Sequence, residues 1–183
     1  MKFEKLPLNG AYIVETSAFH DDRGKFARLF CQNDLNNIHC GNPINQINYS
    51  LTAKKGAVRG MHFQYPPKAE IKMVRCLKGK IFDVIVDLRK KSATFLQWYA
   101  AILSEENMRM LYIPKGFAHG FQTLEDNCEL LYLHTEFYSS EHESGLRYDD
   151  KCIAIQWPLE VAEISQRDLN HSLLSSDFSG IEL

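Results

Sequence analysis

Short β-rich runs, closely spaced and broken by turn residues, constrain this chain more than any other feature. They cover residues 12–15, 25–30, 44–51, 57–63, 71–77, 80–88, 94–103, 109–113, 118–123 and 129–137, with clusters of Gly, Pro, Asn or charged residues between them. This pattern predicts an all-β sandwich or barrel. Lys78-Gly79 reads as a hairpin turn joining two of the runs. In the second, Phe82, Val84, Val86 and Leu88 alternate with Ile81, Asp83, Ile85 and Asp87, so one face is wholly apolar and the other carries two carboxylates. Helical signal is confined to a turn at 104–107 and a short helix or coil from Ser165, and residues 149–158 read as extended chain wrapping back on the barrel. At 183 residues the chain is expected to form one domain, 1–183, with a full core.

A formal charge of −2, with Lys and Arg scattered, leaves no basic footprint for nucleic acid. Any bound anion is expected to be small and held by a few cations. The segment Met1-Lys2-Phe3-Glu4-Lys5-Leu6-Pro7 lacks the apolar core of a signal peptide, and the most continuous apolar stretch, 81–86, is broken by Asp83 and far too short to span a bilayer. Cys31, Cys40, Cys76, Cys128 and Cys152 are odd in number and include no C-x-x-C pair, which argues against a disulfide framework or a zinc site. A cytoplasmic chain with reduced thiols, no membrane contact and no nucleic-acid partner is expected.

Several polar residues interrupt apolar strand faces. In Val58-Arg59-Gly60-Met61-His62-Phe63-Gln64, alternation places Val58, Gly60 and His62 on one side and Arg59 and Met61 on the other. His119 falls between Phe117 and Phe121, Lys72 shares a face with Val74 and Cys76, and Asp83 lies between Ile81 and Ile85. Tyr132, in Leu130-Leu131-Tyr132-Leu133-His134, adds a phenol. Unpaired buried charges are costly, so these groups must find each other, a ligand or water. Each has a structural reading on its own: Lys72 and Asp83 as an ion pair, His119 fastening a turn, Tyr132 as a core aromatic. Together they supply a base, an acid and a cation, which suits removal of a proton beside a carbonyl.

The two histidine segments resemble the two motifs of the cupin barrels. Gly56 followed at the sixth position by His62 fits the first, and Pro114-Lys115-Gly116-Phe117-Ala118-His119 fits the second. Metal-binding cupins carry another His two positions after the first; here that residue is Gln64, and the nearest carboxylate is displaced to Glu70. The resemblance implies a cupin-type jelly-roll β-barrel with few short helices, in which acid–base residues replace the metal.

The resemblance extends further, to the dTDP-4-dehydrorhamnose 3,5-epimerase family. It rests on Phe19-His20-Asp21-Asp22-Arg23-Gly24-Lys25-Phe26, Gln46-Ile47-Asn48-Tyr49-Ser50, the His62 segment, Lys72-Met73-Val74-Arg75, Phe82-Asp83-Val84-Ile85-Val86-Asp87-Leu88-Arg89, the His119 segment, Tyr132, Tyr138 and Ser165-Gln166-Arg167-Asp168. It implies inversion at carbons beside the C4 ketone of a nucleotide-linked 4-keto-6-deoxyhexose, with no cofactor and no metal. On this resemblance His62 is the general base held by Asp168, and Tyr132 is the acid on the opposite face. Lys72 is the cation near the C4 oxygen, supported by His119 and Asp83. Arg23 and Arg59 hold the diphosphate, Gln46 and Asn48 line the cleft, and Phe19, Phe26, Arg28 and Tyr138 complete the substrate site. The resemblance also implies a homodimer in which the N-terminal segment reaches its neighbour.

The chain departs from the family at several positions. Arg28 stands where Glu is usual; Glu accepts from thymine N–H, whereas Arg only donates, which points to another carrier such as CDP. Glu70 replaces a common Gln, and Phe137 a common Tyr. A 3- or 5-monoepimerase would keep the same acid–base set. A 3,4-ketoisomerase is disfavoured by the joint presence of His62, Lys72, Tyr132 and Asp168, and a non-catalytic sugar-binding cupin should have lost the acid or the base.

Overall fold

The computed structural model describes residues 1–38 and 41–183; Cys40, counted above among the reduced thiols, lies outside them. The chain opens with β1 (Lys2–Lys5), β2 (Tyr12–Glu15), β3 (Ala18–Asp21) and β4 (Gly24–Ala27), then α1 (Gln32–Leu35) and a 3-10 turn (Asn36–Ile38). The body follows as β5 (Gln46–Thr52), β6 (Val58–Gln64), β7 (Lys72–Lys78), β8 (Lys80–Asp87), β9 (Trp98–Ser104), β10 (Met110–Ile113), β11 (Phe117–Thr123) and β12 (Cys128–His134). β13 (Glu143–Gly145) and α2 (Gln166–Leu169) come last.

Two antiparallel sheets result, ordered β1-β2-β10-β7-β12-β5 and β13-β6-β11-β8-β9, with β3-β4 a separate hairpin. Val74, Cys76, Leu111 and Leu130 of the first sheet meet Ile81, Ile85, Leu103, Phe117 and Phe121 of the second, making the double-sheet jelly roll that the sequence predicts. Both sheets are also covered outside. Leu35 and Ile38 cap Met73, Tyr112 and Leu133 on the first, while Leu146, Ile153, Ile155 and Trp157 cover Val84, Val86 and Leu88 on the second. The wholly apolar face of β8 therefore points out, under this wrapping segment, and the face bearing Asp83 points into the barrel. Among the described residues, no helix is long and apolar enough to cross a membrane.

Three expected boundaries shift. β9 starts at Trp98 rather than at residue 94, because Ser92 Oγ and Thr94 Oγ1 both donate to Asp87 Oδ2, at 2.6 and 2.7 Å, and fold the preceding residues into a loop. β4 stops at Ala27 and β12 at His134, short of the predicted 30 and 137, while β1, β3 and β13 are strands where none was predicted.

The most consequential difference lies in β6. His62 pairs with His119, but Arg59 pairs with Phe121, so β6 carries one extra residue between these two points. This bulge breaks the simple alternation and places Arg59 on the cleft side with His62, correcting the expectation that they face opposite ways. Gly60 makes the bulge feasible. Its φ is +119°, and a Cβ there would lie 2.6 Å from Gly120 Cα and 2.8 Å from the His119 carbonyl oxygen, both backbone atoms that cannot swing aside. Gly60→Ala should therefore destabilise the fold by about 2 kcal/mol or more. Urea unfolding of the two proteins checks this; equal midpoints would contradict it.

Candidate active site

The barrel opens at one end into a cleft of about 280 Å³ between the two sheets. The first sheet contributes Gln46, Asn48 and Ser50 from β5, Lys72 from β7, and Tyr132 and His134 from β12. The second contributes Arg59 and His62 from β6 and His119 from β11. Tyr138 and Glu143 reach the cleft from the chain after β12.

His62 is fixed from behind. Its Nε2 lies 2.7 Å from Asp168 Oδ1, and since a carboxylate only accepts, Nε2–H donates. Nδ1 is thereby left to take a proton. Asp168 is buried, its Oδ2 accepts from Gly60 N–H at 3.1 Å, and its own N–H donates to Ser165 Oγ at the N-cap of α2. Burial alone would raise the Asp168 carboxyl, but the His62 hydrogen bond and charge and the Gly60 N–H outweigh it and hold the group below the usual carboxylate range. The bulge at Gly60 thus does two things: it turns Arg59 inward, and it supplies a donor to the carboxylate behind the base.

His119 Nε2–H likewise donates to Asp83 Oδ1 at 2.7 Å, with Asp83 completely buried. Burial pushes His119 below the ordinary imidazole value in spite of Asp83, so it faces the cleft as a neutral ring. The alternative Lys72–Asp83 ion pair is not formed among the described residues; Lys72 Nζ lies 3.5 Å from Glu70 Oε1. Tyr132 Oη is 3.1 Å from Ser50 Oγ, and its ring meets His119 edge-on and stacks with His134. Burial raises the phenol well above its ordinary value, with the Ser50 hydrogen bond opposing, so the group stays a proton donor.

Of the residues singled out in the sequence, His62, Lys72, Tyr132, Gln46, Asn48, Arg59, His119 and Tyr138 line one cleft. Asp168 and Asp83 stand behind its imidazoles, so Asp83 orients His119 rather than meeting a substrate. Phe19, Arg23, Phe26 and Arg28 do not line the cleft of their own chain. Phe19 and Phe26 pair across the β3-β4 hairpin, 76% and 74% exposed, while Arg23 bonds only its neighbour Asp21. Lys25 of the hairpin reaches the Glu105 carbonyl at 3.3 Å.

Sequence reasoning passed over several neighbours. Ser50 holds Tyr132, and Glu143 accepts from Tyr138 Oη at 2.8 Å and pairs with Arg167. His171 packs edge-on to His62 with Nε2 3.8 Å from Asp168 Oδ1. Only strand alternation on β5 could have pointed to Ser50; the others depend on loops folding back.

The donor set does not match a cupin metal site. Gln64 is spent on the backbone: Nε2 donates to the Lys68 carbonyl at 3.0 Å and Oε1 accepts from Ser139 N–H at 2.7 Å. Glu70 is held by His134 and Lys72. His62, Asp168 and His171 do place ligand atoms within 4.8 Å of one another, but an ion there would compete with the hydrogen bond that orients the base.

A jelly-roll barrel whose cleft carries carboxylate-held imidazoles, a protonated phenol and an ammonium defines a cupin-type acid–base isomerase site. The chain matches the dTDP-4-dehydrorhamnose 3,5-epimerase family over residues 5–176. It is 42% identical over 172 residues to the dTDP-4-dehydrorhamnose 3,5-epimerase of Methanothermobacter thermautotrophicus, covering 92% of each chain. The Bacillus anthracis enzyme, solved with TDP and pyrophosphate, superposes with a TM-score of 0.92 at 42% identity, covering 94% of this chain and 99% of that one. The Legionella pneumophila enzyme, solved with dTDP-4-keto-L-rhamnose, gives 0.90 at 36% identity, covering 94% and 92%. This chain belongs to the dTDP-4-dehydrorhamnose 3,5-epimerase family.

Proposed function

We propose that this protein inverts C3 and C5 of a dTDP-linked 4-keto-6-deoxyhexose, a step of deoxysugar and surface-polysaccharide synthesis. The observation that carries the reading is the His62–Asp168 pair sharing one cleft with Tyr132 and Lys72. The C4 ketone acidifies the protons on C3 and C5. His62 Nδ1 takes one; the electron pair moves onto O4 as an enolate, which the Lys72 ammonium stabilises in a partly dehydrated site. Tyr132 then delivers a proton to the other face of the same carbon, and solvent restores both residues. The chemistry calls for neither metal nor cofactor. Thymidine nucleotides are bound in the solved relatives, which favours a dTDP carrier over the CDP alternative that Arg28 suggests.

The site is completed by a second copy. β5 is an edge strand of the first sheet, and its outward residues Ile47, Tyr49 and Leu51 are 60%, 58% and 47% exposed. A homodimer covers this face and lets the β3-β4 hairpin bring Arg23 and Phe26 to the neighbouring cleft. Free Cys76 and Cys128, whose thiols burial pushes up, support a reducing, cytoplasmic setting.

Two tests follow from these roles. In D₂O, His62→Asn should abolish both product formation and deuterium uptake at C3 and C5, with or without chelator in the buffer. Tyr132→Phe should still exchange protons from the His62 side while forming little inverted product. Wild-type inversion by Tyr132→Phe, or exchange by His62→Asn, would overturn the assignment. For the dimer, mixing inactive His62→Asn protomers with inactive Arg23→Ala protomers should restore activity, because one cleft of each mixed dimer is intact. A fully active monomer in sedimentation, or no recovery on mixing, would contradict the shared site.

A further inference from the structure

Three imidazoles in the cleft are each held by a carboxylate, and the third pair, His134 with Glu70, has no part in the chemistry above. His134 ends β12, set by the ladders between Lys72 on β7 and Gln46 on β5. Its Nδ1 lies 2.6 Å from Glu70 Oε2, and Glu70 Oε1 lies 3.5 Å from Lys72 Nζ. On the other side, His134 Nε2 lies 3.4 Å from Asn48 Nδ2. Asn48 Oδ1 accepts from Gln46 Nε2 at 3.1 Å, and Gln46 Oε1 accepts from the backbone N–H of Tyr138 at 3.1 Å.

The direction of every bond in this chain follows from its last member. A backbone N–H can only donate, so Gln46 must turn its oxygen to Tyr138 and its NH₂ to Asn48. Asn48 must then give its oxygen to Gln46 and its NH₂ to His134. Nε2 therefore accepts, and the ring proton sits on Nδ1, where Glu70 receives it. Burial would raise the Glu70 carboxyl, but the His134 hydrogen bond and the Lys72 charge hold it below the usual range, so it remains an acceptor.

We propose that His134 is a positioning residue whose neutral Nδ1–H form anchors a one-way hydrogen-bond relay fixing Asn48, Gln46 and the Tyr138 segment as the wall that receives the nucleotide sugar. The proposal deepens the function given above and rests on it. Protonation places an N–H on Nε2 against the Asn48 NH₂, donor against donor. Flipping Asn48 only moves the mismatch to Gln46, and flipping Gln46 moves it to Tyr138 N–H, which cannot reverse. Each flip passes the mismatch along the relay, and low pH should loosen the wall. The charged and titratable groups facing His134 are Glu70 from the β6–β7 loop, Lys72 from β7 and Tyr132 stacked from its own strand; β5 offers only neutral amides, and His62 and His119 line the opposite wall.

The test is calorimetric binding of dTDP-glucose, which cannot react and whose diphosphate diester keeps its charge, between about pH 5 and 8. Wild-type affinity should fall toward the acid end, because a donor then meets a donor at the part-buried His134–Asn48 contact. His134→Gln, which accepts and donates without titrating, should bind with little of that dependence. Glu70→Ala leaves the Nδ1–H without its acceptor, so affinity should already fall near neutral pH, whereas Glu70→Gln, which still accepts, should preserve it. Parallel acid limbs in wild type and His134→Gln would overturn the proposal. Should His134→Gln not fold, Glu70→Ala binding as tightly as wild type near neutral pH would overturn it equally. A wild type that binds dTDP-glucose at no pH would instead remove the substrate reading, and the relay with it.

Discussion

An imidazole serves as a directed base only when something decides which nitrogen carries the proton, and here a buried carboxylate makes that decision. Asp168 reaches His62 from α2, 106 positions away in the chain, and can do so because the β6 bulge offers it the Gly60 N–H. The bulge in turn depends on Gly60 and Gly120 meeting with no side chain between them. Backbone conformation, carboxylate position and base orientation are thus one constraint. Removing the carboxylate charge should release the tautomer even where the geometry stays, as in other His–carboxylate pairs.

The same device recurs at His119 with Asp83, and its cost shows where the barrel places it. Asp83 is completely buried and one of its oxygens has no partner among the described residues, an arrangement that would be expensive without the imidazole N–H at 2.7 Å. The jelly roll can carry such charges because its outer faces are apolar too. The wrapping segment around Trp157 seals β8 from outside, so the polar inward face is exposed only through the cleft.

Much of this was legible in the sequence. The β-rich runs located the strands of both sheets except β1 and β13, and alternation on β7, β8 and β11 placed Lys72, Asp83 and His119 each on an otherwise apolar face. What failed was local in one place and long-range elsewhere. Alternation misplaced Arg59, since a bulge is set by the facing strand and leaves only a glycine as its trace. The short edge strands β1, β3 and β13 bury too little to impose a pattern. The reading of Lys72 and Asp83 as an ion pair fails because Glu70, from the loop before β7, pairs with Lys72, and His119 pairs with Asp83. The hairpin residues Phe19, Arg23 and Phe26 lie in solvent in a single chain, so a place for them at a substrate site depends on an assembly that local pattern does not encode.

The most direct measurement of the central claim is ¹⁵N NMR of the histidine side chains in the substrate-free protein near neutral pH. His62 and His119 should each carry the proton on Nε2, toward Asp168 and Asp83, and His134 on Nδ1, toward Glu70. Asp168→Asn should leave His62 exchanging between tautomers while the other two keep theirs. A wild-type His62 protonated on Nδ1, with a bare Nε2 turned to Asp168, would contradict the account, because the nitrogen assigned to take the substrate proton would already hold one.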